Sequence, residues 1–209
     1  MKSNSPDIIL NVVEIFRSIQ GEGANAGKSA VFVRLASCNM ACWYCDTNWD
    51  KSTKMTVREV LEEVNKLSAT AIYPDNLLIW TGGEPTLQLT DEILDLFNDY
   101  YNCIETNGTN PVPTKIKYIS CSPKVSPFIL RKNFTHVNEF RYPIGVGDIL
   151  PDISELPHAD NYFISPVFLG AQKERFEKVN ENIEYSMNII QNNPKWRLSL
   201  QLHKLLNIR

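Results

Sequence analysis

The sequence predicts an α/β fold around a mainly parallel sheet, on three observations. Short runs rich in β-branched residues recur along the chain. Segments with helical apolar spacing lie between several of them. The polar motifs SIQGEG, the cysteine loop, TGGEP, ETNGT and SCSPK each follow such a run. Strands alternating with helices favour parallel pairing. In barrel-like α/β folds the functional groups collect at the C-terminal strand ends, so these motifs are expected to face one mouth.

The elements follow in order. Ile8–Phe16 (IILNVVEIF) reads as a strand. The loop SIQGEGANAG after it carries three of the nine glycines. Ala30–Ala36 is a second strand, and a cysteine loop runs from Ser37 to about Met55. Thr56 and Glu59 have capping-box spacing. Val57, Val60, Leu61, Val64 and Leu67 then form one helical face. Leu77–Trp80 reads as a short buried strand ending in TGGEP. Thr90 caps a further helix, with Ile93, Leu94, Leu96 and Phe97 expected to point inward. Asn102–Thr106 and Ile116–Ser120 are strands, and Lys124–Thr135 shows no clear period. Glu139–Ile144 and Asn161–Ser165 are further strands. Gln172–Gln191 is the longest helix, its face marked by Phe176, Val179, Ile183, Met187 and Ile190 and its end by Asn193-Pro194. Trp196–Gln201 alternates as a last strand.

Composition bounds the function. The 209 residues, 43% apolar and 22% charged, describe an ordinary globular chain. They read as one domain over 1–209, without repeat, linker or low-complexity tract. Lys plus Arg is 21 against 24 Asp plus Glu, a net charge of −3, which argues against a nucleic-acid partner. The longest apolar run, Met40–Cys45, is far short of the ~20 residues a membrane helix needs. The N-terminus lacks the apolar stretch of a secretory signal. The expected location is cytoplasmic, with no membrane partner.

Five cysteines, an odd number, do not suit a disulfide framework. Three of them, Cys38, Cys42 and Cys45, crowd into CNMACWYC. Structural zinc sites usually want four ligands, whereas this loop offers three thiols and no histidine. Three thiolates on one short loop suit a [4Fe–4S] cluster with one iron open to a small molecule. A zinc knuckle completed by one distant ligand is the competing reading. Trp43 and Tyr44 would shield such a cluster or simply pack in the core.

The spacing C-x3-C-x2-C, with an aromatic residue before the last cysteine, resembles the radical S-adenosylmethionine (SAM) enzymes. Thr81-Gly82-Gly83-Glu84-Pro85 after a strand is the second mark of that superfamily. Four further features narrow the resemblance: Gln20-Gly21-Glu22-Gly23 before the cluster loop with Arg34 close to Cys38; Asp46-Thr47 after Cys45; Ser122-Pro123-Lys124; and Ser199-Leu200-Gln201-Leu202-His203-Lys204 near the end. Together they resemble the family of 7-carboxy-7-deazaguanine synthases, from about Val13 to the C-terminus.

That resemblance implies a shortened, partial TIM-barrel-like radical SAM fold with its cluster loop at about 37–55. It implies a radical ring contraction of 6-carboxy-5,6,7,8-tetrahydropterin to 7-carboxy-7-deazaguanine with loss of ammonia, on the route to 7-deazapurines. SAM would be cleaved to a 5′-deoxyadenosyl radical and regenerated, with Mg2+ assisting. By resemblance, Cys38, Cys42 and Cys45 hold the cluster and Thr47 the Mg2+. Tyr44, Cys45, Asp46, Gly83, Glu84 and Glu105, with Ser122, Pro123 and Lys124, face SAM. Ile19, Gln20, Gly21, Glu22 and Thr81 meet the pterin. Arg34 grips its carboxylate, since a guanidinium fork matches a carboxylate bidentately. His203 and Arg209 close over the substrate from the chain end. A flavodoxin-type reductant and a homodimer are expected on the same ground. The chain has Ser165-Pro166 where many relatives carry Gln-Pro, which leaves a SAM contact there open. Two alternatives are a glycyl-radical enzyme activating protein, against which Gln20–Gly23 and Gln201–Lys204 argue, and a non-catalytic metal-binding module.

Overall fold

The computed structural model describes residues 8–45, 51–68, 76–168 and 173–208, with only the backbone of 173–179. One sheet holds all nine described strands: β1 (Ile9–Ile19), β2 (Ser29–Leu35), β3 (Thr53–Thr56), β4 (Leu77–Gly82), β5 (Tyr101–Thr106), β6 (Tyr118–Cys121), β7 (His136–Ile144), β8 (His158–Pro166) and β9 (Trp196–Leu198). Their order is β3-β1-β2-β4-β5-β6-β7-β8-β9. From β2 to β9 every pairing is parallel. Only β1 runs antiparallel, to β2 and to β3. This is the mainly parallel sheet that the strand–helix alternation predicts.

Among the described residues five α-helices accompany it: α1 (Val57–Ser68), α2 (Asp91–Asp95), α3 (Pro127–Asn133), α4 (Lys173–Asn192) and α5 (Leu202–Leu205). The Thr56–Glu59 box closes reciprocally. Glu59 Oε2 accepts from Thr56 N at 2.7 Å, and Thr56 Oγ1 accepts from Glu59 N at 3.2 Å. Val57, Val60 and Val64 are buried, so α1 carries one apolar stripe onto the sheet. Leu77–Trp80 is buried throughout because β4 lies between two parallel neighbours and is covered on both faces.

Period-2 alternation sorts the sheet's two faces. On β2, Val31, Val33 and Leu35 join the core under α1 and α2, while Phe32 and Arg34 line a cavity. On β7, Phe140 and Ile144 join a second core with Leu130, Ile164 and Trp196, while Arg141 and Pro143 line that same cavity. The interior of the curved sheet is thus left for chemistry.

Three expectations are corrected and one open stretch is resolved. Thr53–Met55, read as the end of the cysteine loop, form with Thr56 the edge strand β3, paired to Ile9–Val12. Leu96, expected inward, is exposed: α2 ends at Asp95 and tightens into i→i+3 turns, which rotates Leu96 out and leaves Phe97 buried. The unclassified stretch 124–135 contains α3, begun by Pro127 at its first turn. The final strand stops at Leu198, and residues 199–201 lead into α5. No described helix is long and apolar enough to cross a membrane.

Candidate active site

The parallel strands end around a cavity of about 770 Å3, within the ~300–1,000 Å3 usual for small-molecule sites. It is lined by the residues after β1, the cysteine loop, the ends of β4 to β8 and the C-terminal segment.

The two motifs that point to SAM chemistry are joined by backbone. Gly83 N donates to Leu35 O and Glu84 N to Ser37 O, each at 2.9 Å. At Gly82, φ is +112°, and a Cβ would lie 2.2 Å from Leu35 O. No side chain fits there. The Glu84 carboxylate is fully buried beneath this turn. It accepts from Thr86 N and Oγ1, Thr106 Oγ1 and Asn107 N. Glu84 does not line the cavity; it fastens the turn after β4 to the end of β5.

Cys38, Cys42 and Cys45 are in no disulfide and border the cavity. Asn107 Nδ2 lies 3.9 Å from Cys38 Sγ and donates to Asn39 Oδ1 at 2.9 Å, steadying the start of the loop. The remaining cysteines sit inside strands. Burial pushes the Cys103 thiol up to about 12 and the Cys121 thiol higher still, which makes both poor ligands. The donor set is three thiols at one cavity wall. That fits a [4Fe–4S] cluster with an open iron and does not fit a four-thiolate zinc site. Tyr44 borders the cavity, but Trp43 is 74% exposed, so it does not pack in the core.

A buried polar network forms the opposite wall. Arg141 on β7 is 5% exposed. Its Nη1 donates to Glu22 Oε2 and its Nη2 to Glu105 Oε1, both at 2.6 Å. Its Nε donates to Ser120 Oγ at 2.5 Å and lies 3.2 Å from Glu139 Oε1. Glu105 also accepts from Thr81 Oγ1 at 2.6 Å and Gln20 Nε2 at 3.0 Å. Burial alone would raise the Glu105 carboxyl. The Arg141 charge and these hydrogen bonds outweigh it and hold the group at about 2. Glu139 accepts from Ala24 N, Tyr118 OH and Ser120 Oγ, each at 2.8 Å. This pins the glycine loop to the sheet: Gly23, at φ +69°, sits where a Cβ would strike the Glu139 carboxylate.

The structure brings most of the expected residues to this one cavity. Ile19, Gln20, Gly21 and Glu22 line it with Arg34 and Thr81. Arg34 donates from Nε to Glu14 Oε1 at 2.9 Å, and its guanidinium carbon lies 5.8 Å from the Phe16 ring centroid. Gly83, Glu105, Ser122 and Lys124 are also at the wall, whereas Pro123 is buried behind it. Lys124 Nζ donates to Ser122 O and Oγ and sits 5.6 Å from the Tyr44 ring centroid. His203 and Lys204 reach the cavity because Leu202 N donates to Gly21 O and the His203 ring occupies the space a Cβ on Gly21 would fill. Ser165 and Pro166 line it too, and Ser165 Oγ is buried with no hydrogen-bond partner among the described residues. Asp46, Thr47 and Arg209 lie outside the described residues.

Sequence reasoning missed Arg141, Ser120 and Glu139. The available signal was Glu139-x-Arg141, two charges on alternate positions of a strand otherwise apolar on its other face.

Comparison with known proteins follows the same lines. Residues 33–121 match the Radical SAM superfamily. A 7-carboxy-7-deazaguanine synthase of Bacteroides thetaiotaomicron is 38% identical, covering 94% of this chain and 97% of that protein. The protein of the same name from Haemophilus influenzae is 37% identical, covering 95% and 93%. The crystal structure of QueE from Escherichia coli superposes with a TM-score of 0.67 at 23% identity, over 96% of this chain and all of that one.

Proposed function

The chain belongs to the family of 7-carboxy-7-deazaguanine synthases within the radical SAM superfamily, and we propose how its cavity performs the ring contraction of 6-carboxy-5,6,7,8-tetrahydropterin to 7-carboxy-7-deazaguanine. The observation that carries the assignment of residues is one cavity bordered by the three cysteines, whose loop is joined at Leu35 and Ser37 to the Thr81–Pro85 turn, and by the Gln20–Glu22 loop. The cluster and SAM supply the hydrogen-abstracting radical when bound; the protein positions the reactants and keeps water out.

Cys38, Cys42 and Cys45 would hold the cluster, with three protein thiols for its four irons. Gly83, Ser122 and Lys124 border the SAM side with Tyr44. Asp46, following Cys45, belongs to the same contact. On the pterin side, Gln20, Glu22 and Thr81 offer polar groups whose directions the Arg141 network presets. The Glu14 carboxylate orients Arg34, so its fork meets the substrate carboxylate without first being ordered. His203 and Arg209 close the mouth from the chain end. Thr47 would offer one oxygen to Mg2+, which would bind well only with the substrate carboxylate, because Mg2+ takes few protein oxygens plus substrate. Residues 1–209 act as one radical SAM core domain, reduced by a flavodoxin-type protein and paired as a homodimer.

Anaerobic turnover with SAM, reductant and the carboxy-tetrahydropterin, read by mass spectrometry, tests the proposal. Formation of 7-carboxy-7-deazaguanine is expected; cluster-loaded protein that leaves the pterin unchanged refutes it. Arg34→Ala is expected to lower kcat/KM by about 10- to 100-fold, the worth of hydrogen bonds to a charged group, while slow uncoupled SAM cleavage continues. Wild-type kinetics would remove Arg34 from the carboxylate. Thr47→Ala is expected to blunt the stimulation by Mg2+; an undiminished response assigns the ion elsewhere.

A further inference from the structure

At the end of the sheet away from the active-site mouth, β7 and β8 begin in register, with His136 opposite His158. Side chains two apart on a strand share a face, and paired strands lie ~4.8 Å apart. Asp160 therefore joins the two histidines on one patch. His136 Nε2 lies 2.9 Å from Asp160 Oδ1. The two imidazole rings stack with centroids 5.3 Å apart. One ligand atom from each of the three residues falls within 4.8 Å of the others. Asn138, on the same face, donates to the other Asp160 oxygen at 3.2 Å. That is the kind of outer hydrogen bond that orients a ligating carboxylate. All three residues are solvent-exposed, and none lines the catalytic cavity.

We propose that His136, His158 and Asp160 form a second metal site, selective for a borderline divalent transition ion such as Zn2+, Ni2+ or Co2+. Two imidazoles and one carboxylate are the donor set such ions prefer; Mg2+ and Ca2+ prefer oxygen alone. In a tetrahedral zinc site, bond lengths of ~2.0–2.2 Å put neighbouring ligand atoms about 3.3 Å apart. The His136–Asp160 pair needs to open by only a few tenths of an ångström, with the ion taking the place of the proton between them. Three protein ligands leave the fourth position to water. The patch lies on exposed surface outside the catalytic cavity, so the ion clamps the starts of β7 and β8 and acts on stability by mass action, not on the ring contraction.

The test uses tag-free, cluster-loaded protein kept oxygen-free, with Zn2+ alone as the probe and the cluster absorbance followed to show that it stays intact. Calorimetric titration is expected to show one Zn2+ bound per chain and a raised Tm. His158→Ala and Asp160→Asn are each expected to weaken binding at least tenfold and to abolish the Tm shift, with turnover unchanged. Exposed side chains tolerate both changes, and the conservative Asp160→Asn keeps shape while removing charge. No Zn2+ bound by the wild type, or equal binding in both variants, overturns the site. Because turnover is not the readout, this outcome is independent of the proposal for the active site.

Discussion

Cys42→Ala prepared without oxygen is expected to hold no intact [4Fe–4S] cluster and to release no 5′-deoxyadenosine from SAM. The loop offers three thiols with none to spare. Cys103 and Cys121 cannot substitute, because both are locked in strands with thiols pushed up by burial. The fold should survive, since Cys42 is only partly buried and outside the two main hydrophobic cores. Iron and sulfide content, SAM cleavage and a denaturant midpoint separate these effects. A colourless, inactive chain with an unchanged midpoint is the expected result. Retained SAM cleavage would show that the thiol set has been misassigned.

Arg141→Met is expected to cost both stability and turnover. Methionine has similar length but no charge, so Glu22, Glu105 and Glu139 are left facing one another across a buried wall. Removing one partner of a buried ion pair typically costs about 3–5 kcal/mol. The denaturant midpoint should fall accordingly, and kcat/KM should drop about 100-fold or more as Glu22 and Glu105 lose their fixed directions. The pH dependence carries the sign of the effect. Glu105 is held at about 2, below its ordinary 4.5. Its contribution to stability is therefore complete above about 4.5 and is lost as pH falls towards 2. In Arg141→Met that contribution disappears, so the stability gap from wild type should narrow across this acid range in cluster-free protein. A constant gap would mean that Arg141 acts through packing and not through the carboxylates.

The catalytic identity was legible early because radical SAM chemistry concentrates its requirements locally. Cys38, Cys42 and Cys45 must share one short loop, and the turn at Gly82 must lack a side chain where backbone crosses backbone. Both demands are written as residue type and spacing. The capping box at Thr56 and the buried run Leu77–Trp80 were legible for the same reason. Edge strand β3 was not, since Thr53–Thr56 is a polar stretch whose pairing with β1 is set from forty residues away.

The sequence by itself determined the mainly parallel α/β plan, the thiol triad and the family of the reaction, because periodicity and motif spacing are properties of neighbouring residues. Only the tertiary structure decided that Arg141 joins Glu22, Glu105 and Glu139, that Glu84 ties the turn after β4 to β5, and that His136 meets Asp160. Those partners come from separate strands or loops. Their charges acquire meaning only when sheet register and burial bring them within hydrogen-bond reach.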